Sequence, residues 1–265
     1  MSRILPNKKD DREQSRQKKR TIEKKGMCQH TSGASKCVIG SIDIGRRNFA
    51  QYFEKVNLNS LLGISQDYNN LPRDKKRKVK GPVSIEMRDI IDRVCNSGKV
   101  LDMGVYDLCV ATEKKGDPPL DIETRKNIIA HLERCRDKWS LCDIIIIEQQ
   151  FFSSFGGART EGNIKAIKVG EIVLTWFLIT YPEKQIEYFG SQYKTQILGA
   201  PDKLTKPQRK KWSIEKTKEI LTNRNDEKYL NLLTSTKKSG QKLDDVSDAL
   251  CQCQAYKLRK LVCKF

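Results

Sequence analysis

Apolar residues along the chain follow two rhythms, one of strands and one of helices, broken by long polar stretches. "CVIGSIDIGRRNFAQYF" (37–53) begins apolar, breaks at Gly45 to Asn48 and resumes, which predicts a strand continuing past a turn. "KVLDMGVYDLCV" (99–110) alternates in part and predicts another strand. "CDIIIIEQQFF" (142–152) is a continuous β-branched run, the pattern of a strand in a sheet covered on both faces. "KQIEYFGSQYKTQIL" (184–198) reads as a strand and the turn after it.

Helical spacing takes over elsewhere. It runs through "LDIETRKNIIAHLERCRDKWS" with Ile122, Ile128, Ile129 and Leu132, and through "NIKAIKVGEIVLTWFLITY" with Ile164, Ile167, Ile172, Trp176 and Ile179 near one side. Residues 205–224 read as a lysine-rich helix after Pro207. "LDDVSDALCQCQAYKLRKL" is a final helix, acidic at its start and basic at its end, as the macrodipole favours. Residues 54–99 read as an insertion, with "LNSLLGISQDYNNLPRDKKRKVKGP" as loop and "SIEMRDIIDRV" as one helix. The order of elements predicts a mixed α/β sheet with helices on both faces. It lies in one domain over 37–265, preceded by a basic arm over 1–36 that reads as disordered.

Length and composition narrow the class. The 265 residues suffice for one large domain or two small ones, and 37% hydrophobic residues make a core once polar tails are set aside. No apolar run approaches the roughly 20 residues that span a bilayer, so no membrane association is expected. The first residues lack the apolar core of a secretory signal, and Asp10, Asp11 and Glu13 argue against a mitochondrial leader. Nine cysteines, an odd number without any CxxC pair, indicate a reducing, intracellular compartment rather than a disulfide scaffold. Cys28, His30 and Cys37 match no closed four-ligand zinc site.

The net charge of +18 is segregated. It concentrates in residues 1–25, in 72–80 with Lys75, Lys76, Arg77 and Lys78, and in 201–242 with Arg209, Lys210 and Lys211; the remainder balances to zero. Segregation of this kind points to a polyanionic partner, above all nucleic acid. "KKRKVK" also has the form of a nuclear import signal.

Four carboxylates change the picture further. Asp43 stands in the middle of an apolar strand pattern, where an unpaired charge costs several kcal/mol. Glu148 ends "IIIIE". Asp245 and Asp248, three apart at the start of the last helix, share a face, and Asp244 competes with Asp245 for that role. Strand ends of a doubly covered sheet collect functional groups. Carboxylates converging there need a cation, and hard oxygen donors select Mg²⁺ or Mn²⁺. Two such ions about 4 Å apart activate water and stabilise the leaving oxygen of a phosphodiester. Asp245 as a helix cap, Glu148 as an ordinary strand end and Asp43 as a partner of turn amides are the plain alternatives.

"SIDIGRRNFA", "IIIIEQQFF", "GNIKAIKVGEI" and "KLDDVSDALCQCQA", in that order, resemble the RuvC-type Holliday junction resolvases of the RNase H-like superfamily. The DIGxxN turn and the lysine-rich segments are most similar to the branch from poxviruses and other large DNA viruses, with fungal mitochondrial resolvases nearby. The resemblance covers 38–53 and 100–260. It implies an RNase H-like nuclease that cuts opposing strands of a four-way junction, Mg²⁺ or Mn²⁺ with two ions per site, and a homodimer. For a viral protein it implies a place in the host cytoplasm or nucleus. It assigns Asp43, Glu148, Asp245 and Asp248 as metal ligands and Phe151, with Phe152 competing, as an aromatic against junction bases. It makes Lys194 a basic residue near the scissile phosphate. The bacterial pattern lacks the arm and the insertion, so DNA contacts outside the core do not carry over. Rival expectations are another RNase H-like nuclease (a ribonuclease or transposase) or a non-catalytic junction-binding protein. An actin-like ATPase would need a second glycine-rich phosphate loop that the 16 glycines do not supply.

Overall fold

The computed structural model describes residues 35–76, 83–109, 120–150, 161–238 and 243–264. Ser35–Phe265 form one unit; the predicted arm lies outside the described residues. β1 (Lys36–Asp43) turns back into β2 (Phe49–Asn57), antiparallel, with Asp43 opposite Ala50. β3 (Gly98–Tyr106) pairs antiparallel with β2. β4 (Ile144–Gln149) lies parallel to β1, and β5 (Gln185–Gly190) parallel to β4. The order is β3-β2-β1-β4-β5. This is the predicted mixed sheet, parallel across β1, β4 and β5 and antiparallel across β1, β2 and β3.

The sheet divides the core in two, and alternation along each strand assigns its side chains. Ile144 and Ile146 of β4 enter one apolar cluster, while Ile145 and Ile147 enter the other. Four consecutive isoleucines are therefore buried without any alternating polarity, as expected of a strand covered on both faces. The first cluster joins the sheet to α1 (Leu58–Asn70), α2 (Ile85–Asn96), α7 (Lys206–Asn223), α8 (Glu227–Lys238) and α9 (Leu243–Tyr256). A π-helical turn (Lys257–Val262) follows α9. The second cluster joins it to α3 (Ile122–Arg134), α4 (Arg136–Ser140) and α5 (Glu161–Thr180). A single turn of helix, α6 (Tyr193–Gln196), follows β5.

Several expectations change. Residues 58–70, read as loop, form α1. Asn57 caps it, accepting from the amides of Asn59 (2.9 Å) and Ser60 (3.3 Å), and Leu61, Ile64 and Tyr68 are buried. Asn59, Ser60, Gln66, Asn69 and Asn70, which give the stretch its loop-like composition, are exposed on this helix. Asp43 closes β1 rather than sitting within it. Of the side of α5 marked by Ile164, Ile167, Ile172, Trp176 and Ile179, Trp176 is buried and Ile172 packs against the core, but Ile179 is 77% exposed, and the fully buried positions are Val169, Val173 and Phe177. On α3, Ile128 and Leu132 are buried, but Ile122 faces solvent. α8 had no counterpart in the sequence reading.

Candidate active site at the ends of the parallel strands

β1 and β4 end side by side. Ile42 pairs with Ile147, so Asp43 and Glu148 are the next residues along two parallel strands. By alternation both side chains project toward the face that carries α9, where Ile39 and Ile146 lie. Asp43 and Glu148 are each 7% exposed. Two buried carboxylates side by side repel, and the structure answers with a lysine.

Lys194, 4% exposed on α6, places its ammonium between them. Its Nζ donates to Asp43 Oδ1, lies 2.7 Å from Glu148 Oε1, and lies 3.9 Å from Asp248 Oδ2. Three carboxylates from β1, β4 and α9 thus share one cation from α6. Burial and then the neighbouring Glu148 push the Asp43 carboxyl well above its usual range, against the pull of Lys194. Burial raises Asp248 as well. Burial alone would lower Lys194, but Asp43, Glu148 and Asp248 outweigh it and keep the ammonium protonated.

α9 supplies the rest of the site. Asp248 and Asp245 lie one turn apart, with Asp245 Oδ2 buried. Asp244 accepts from Lys210 of α7, an ion pair that ties the lysine-rich helix to the acidic end of α9. The nearby charges of Asp244, Asp245 and Asp248 raise Lys210 against the effect of burial.

Two functional neighbours escaped the sequence reading. Gln252, fully buried on α9, donates to Ser41 Oγ (3.1 Å) and to the Ile42 carbonyl (3.0 Å), fixing the backbone just before Asp43. Its spacing of four residues from Asp248 was the available signal. Gln150 donates to Glu148 Oε2 from two residues further along the chain.

The remaining assignments divide. Phe151, Phe152, Arg77 and Lys78 lie outside the described residues. Lys75 pairs with Glu86 at 3.3 Å. Lys76 donates to the Asn69 carbonyl (2.9 Å) and lies over the Tyr68 ring, so both lysines are engaged with the α1–α2 surface. Arg209 and Lys211 are exposed on α7, and Lys211 has Glu215 at 3.8 Å. His131 is buried against Phe49 in the other half of the core, away from the carboxylates. No helix among the described residues is long and apolar enough to cross a membrane.

The chemistry of the donors fits a hard divalent cation. They are carboxylate oxygens from three elements, and they already converge on one positive charge. Among the described residues no three His, Cys, Asp or Glu side chains stand close enough to hold a metal unaided. The ammonium occupies the shared position instead.

No family model matches the chain. It is 28% identical over 228 residues to the uncharacterized protein 97L of invertebrate iridescent virus 3, covering 83% of this chain and 98% of that one. Among solved structures it is similar to the fowlpox virus Holliday junction resolvase, with 16% identity, 83% and 96% of the two chains covered, and a TM-score of 0.41. It is also similar to the yeast mitochondrial Holliday junction resolvase, with 12% identity, 83% and 77% of the chains covered, and a TM-score of 0.48.

Proposed function

We propose that this protein is a metal-dependent endonuclease of the RuvC type that resolves four-way DNA junctions by nicking opposing strands. The observation that carries the reading is the gathering of Asp43, Glu148 and Asp248 from three separate elements around one buried cation. The order of motifs in the sequence and the segregated basic charge support it. Asp43, Glu148, Asp248 and Asp245 would hold Mg²⁺, with Mn²⁺ as substitute, and four carboxylates are enough donors for two ions. Asp244 is left to its pair with Lys210.

A bound divalent ion supplies Lewis acidity, which lowers the pKa of an attacking water and offsets charge on the phosphate. The protein's own groups do the rest. Asp43 and Glu148, rigid on strands buried in the core, orient the ligand oxygens. Gln252 fixes the end of β1 through Ser41 and Ile42. Lys194 brings a permanent positive charge to the phosphate. Arg209 and Lys211 on α7, the 72–80 stretch and Phe151 or Phe152 contact the DNA.

One acid cluster serves one phosphodiester, so paired nicks require two copies. α5 carries the surface for a homodimer: Leu178 and Ile179 are 52% and 77% exposed, and Ile167 and Leu174 are only half-buried. A helix apolar on more than its core side fits a partner.

The test is incubation of the full chain with a synthetic four-way junction, a matched linear duplex and an RNA–DNA hybrid, with and without Mg²⁺. We expect Mg²⁺-dependent cleavage of the junction alone. Asp43→Asn and Glu148→Gln should each abolish cleavage and leave junction binding intact. Near wild-type cleavage by either variant would remove that residue from the site. Cleavage of the hybrid instead would make the enzyme a ribonuclease.

A further inference from the structure

We propose that Lys194 is the resident counterion of the metal-free site, holding the place of a divalent cation until the phosphate of bound DNA draws it away. The metal and the DNA in this statement rest on the nuclease reading above.

The geometry argues for competition rather than simple neighbourhood. Asp43 and Glu148 would hold a metal between parallel strands, and the Lys194 ammonium contacts both of them. Asp248 approaches the same nitrogen from α9. A divalent ion bound to these oxygens would lie beside the ammonium that the same oxygens hold. Like charges held that close at a largely buried site repel, because little water is there to screen them. The two cations therefore exclude one another unless the lysine moves.

The lysine can move. Its charge sits on a flexible four-carbon stem, and α6 is only four residues long. Its role in the absence of metal is equally plain. Without the ammonium, two carboxylates at the ends of adjacent strands would face each other nearly buried and uncompensated.

Two consequences follow from this single competition. Metal affinity of the free protein is held down. A DNA phosphate, which offers the ammonium another partner, raises it. By linkage the metal must raise DNA affinity by the same factor. The cluster is then filled when substrate is present, and Lys194 is delivered toward the phosphodiester in the same event.

The experiment reads metal binding directly. Mn²⁺ is titrated by calorimetry into the full-length wild type and into Lys194→Met and Lys194→Gln without DNA. Ca²⁺ is then titrated with one equivalent of four-way junction, a protein-free junction serving as blank and a gel confirming intact strands. We expect both variants to bind Mn²⁺ about tenfold or more tighter than wild type. The junction should tighten Ca²⁺ binding by the wild type and leave the variants nearly unchanged. Thermal melting adds a readout that a purely catalytic lysine would not move: the variants should melt lower than wild type without metal and gain more from it. Equal or weaker Mn²⁺ binding by the variants, or a junction effect of the same size in variant and wild type, would overturn the proposal. If neither variant folds without metal, wild-type Ca²⁺ affinity that ignores the junction overturns it alone. A wild type that shows the metal pattern but cuts no junction overturns the nuclease reading instead.

Discussion

His131 is 2% exposed, with Nε2 3.1 Å from Gln51 Oε1 and the Tyr106 ring centroid 4.2 Å from its own. Burial, then the charges of Arg134 and Lys138, lower its pKa to about 4. In the unfolded chain a histidine titrates near 6.5. As pH falls the unfolded state therefore takes the proton first. The stability tied to the neutral ring is complete above about pH 6.5 and drains away down to about pH 4, by at most roughly 3 kcal/mol. His131→Gln keeps a polar group beside Gln51 and removes the titration. Urea midpoints at pH 7, 5.5 and 4.5 should fall less steeply for this variant than for wild type. Parallel slopes would show that His131 does not set the acid sensitivity. The contrast with Asp43 lies in the partner: a buried neutral ring needs one hydrogen bond, whereas a buried carboxylate needs a cation.

Packing between elements depends on a second carboxylate, Glu54 of β2, which is fully buried. It accepts from Tyr52 Oη, Lys257 Nζ and Gln254 Nε2, each at 2.5 Å, and from Arg224 Nη2 at 3.3 Å. Arg224 caps α7 and also donates to the Cys95 carbonyl at the end of α2. Glu54 and Arg224 together therefore join β2, α2, α7, α9 and the π-helical turn. Burial favours its neutral form, but Lys257 and Arg224 overcome this and bring its pKa down to about 2. The stabilisation is thus present above the unfolded value near 4.5 and is lost as pH falls toward 2. Glu54→Gln leaves two buried cations undercompensated, and we expect a loss of about 3–5 kcal/mol in urea unfolding. Gly98 belongs to the same arrangement: a Cβ there would come 1.7 Å from Glu54 Oε1. Gly98→Ala should displace the carboxylate and lose stability of similar size. Near wild-type stability for either variant would show that the network is dispensable.

At the scale of the whole molecule, the proposed paired nicks require two active sites in one particle. The exposed end of α5 is where we place the contact. Leu178→Glu combined with Ile179→Glu puts charge on side chains that touch no core, so the fold should survive. Light scattering should give a dimeric mass for wild type and a monomeric mass for the double variant. Junction cleavage by the variant should stop after a single nick. A dimeric variant would move the interface off α5, and a monomeric, fully active wild type would remove the paired-nick mechanism.

The sequence by itself determined the strands and most of the helices, and it singled out Asp43, Glu148 and Asp248 as acids that need a partner. Period-2 and period-3.6 patterns are local, so 99–106, 144–149 and the helices over 122–140, 161–180 and 243–256 were legible without a fold. Asp43 and Glu148 stood out because a charge within or ending an apolar strand pattern demands a partner. Which partner it is, only the tertiary structure decided. Lys194 is 151 residues from Asp43 in the chain and one lysine among many until β5 and α6 bring it in. Glu54 passed unnoticed because Arg224 and Lys257 lie 170 and 203 residues away. The same holds for the buried side of α5 and for α1. A periodic pattern states which side chains share a face, but only the neighbouring elements settle which face meets the core. Charge pairing depends on distance in space, and spacing along the chain carries that information only within a helix turn or across a strand.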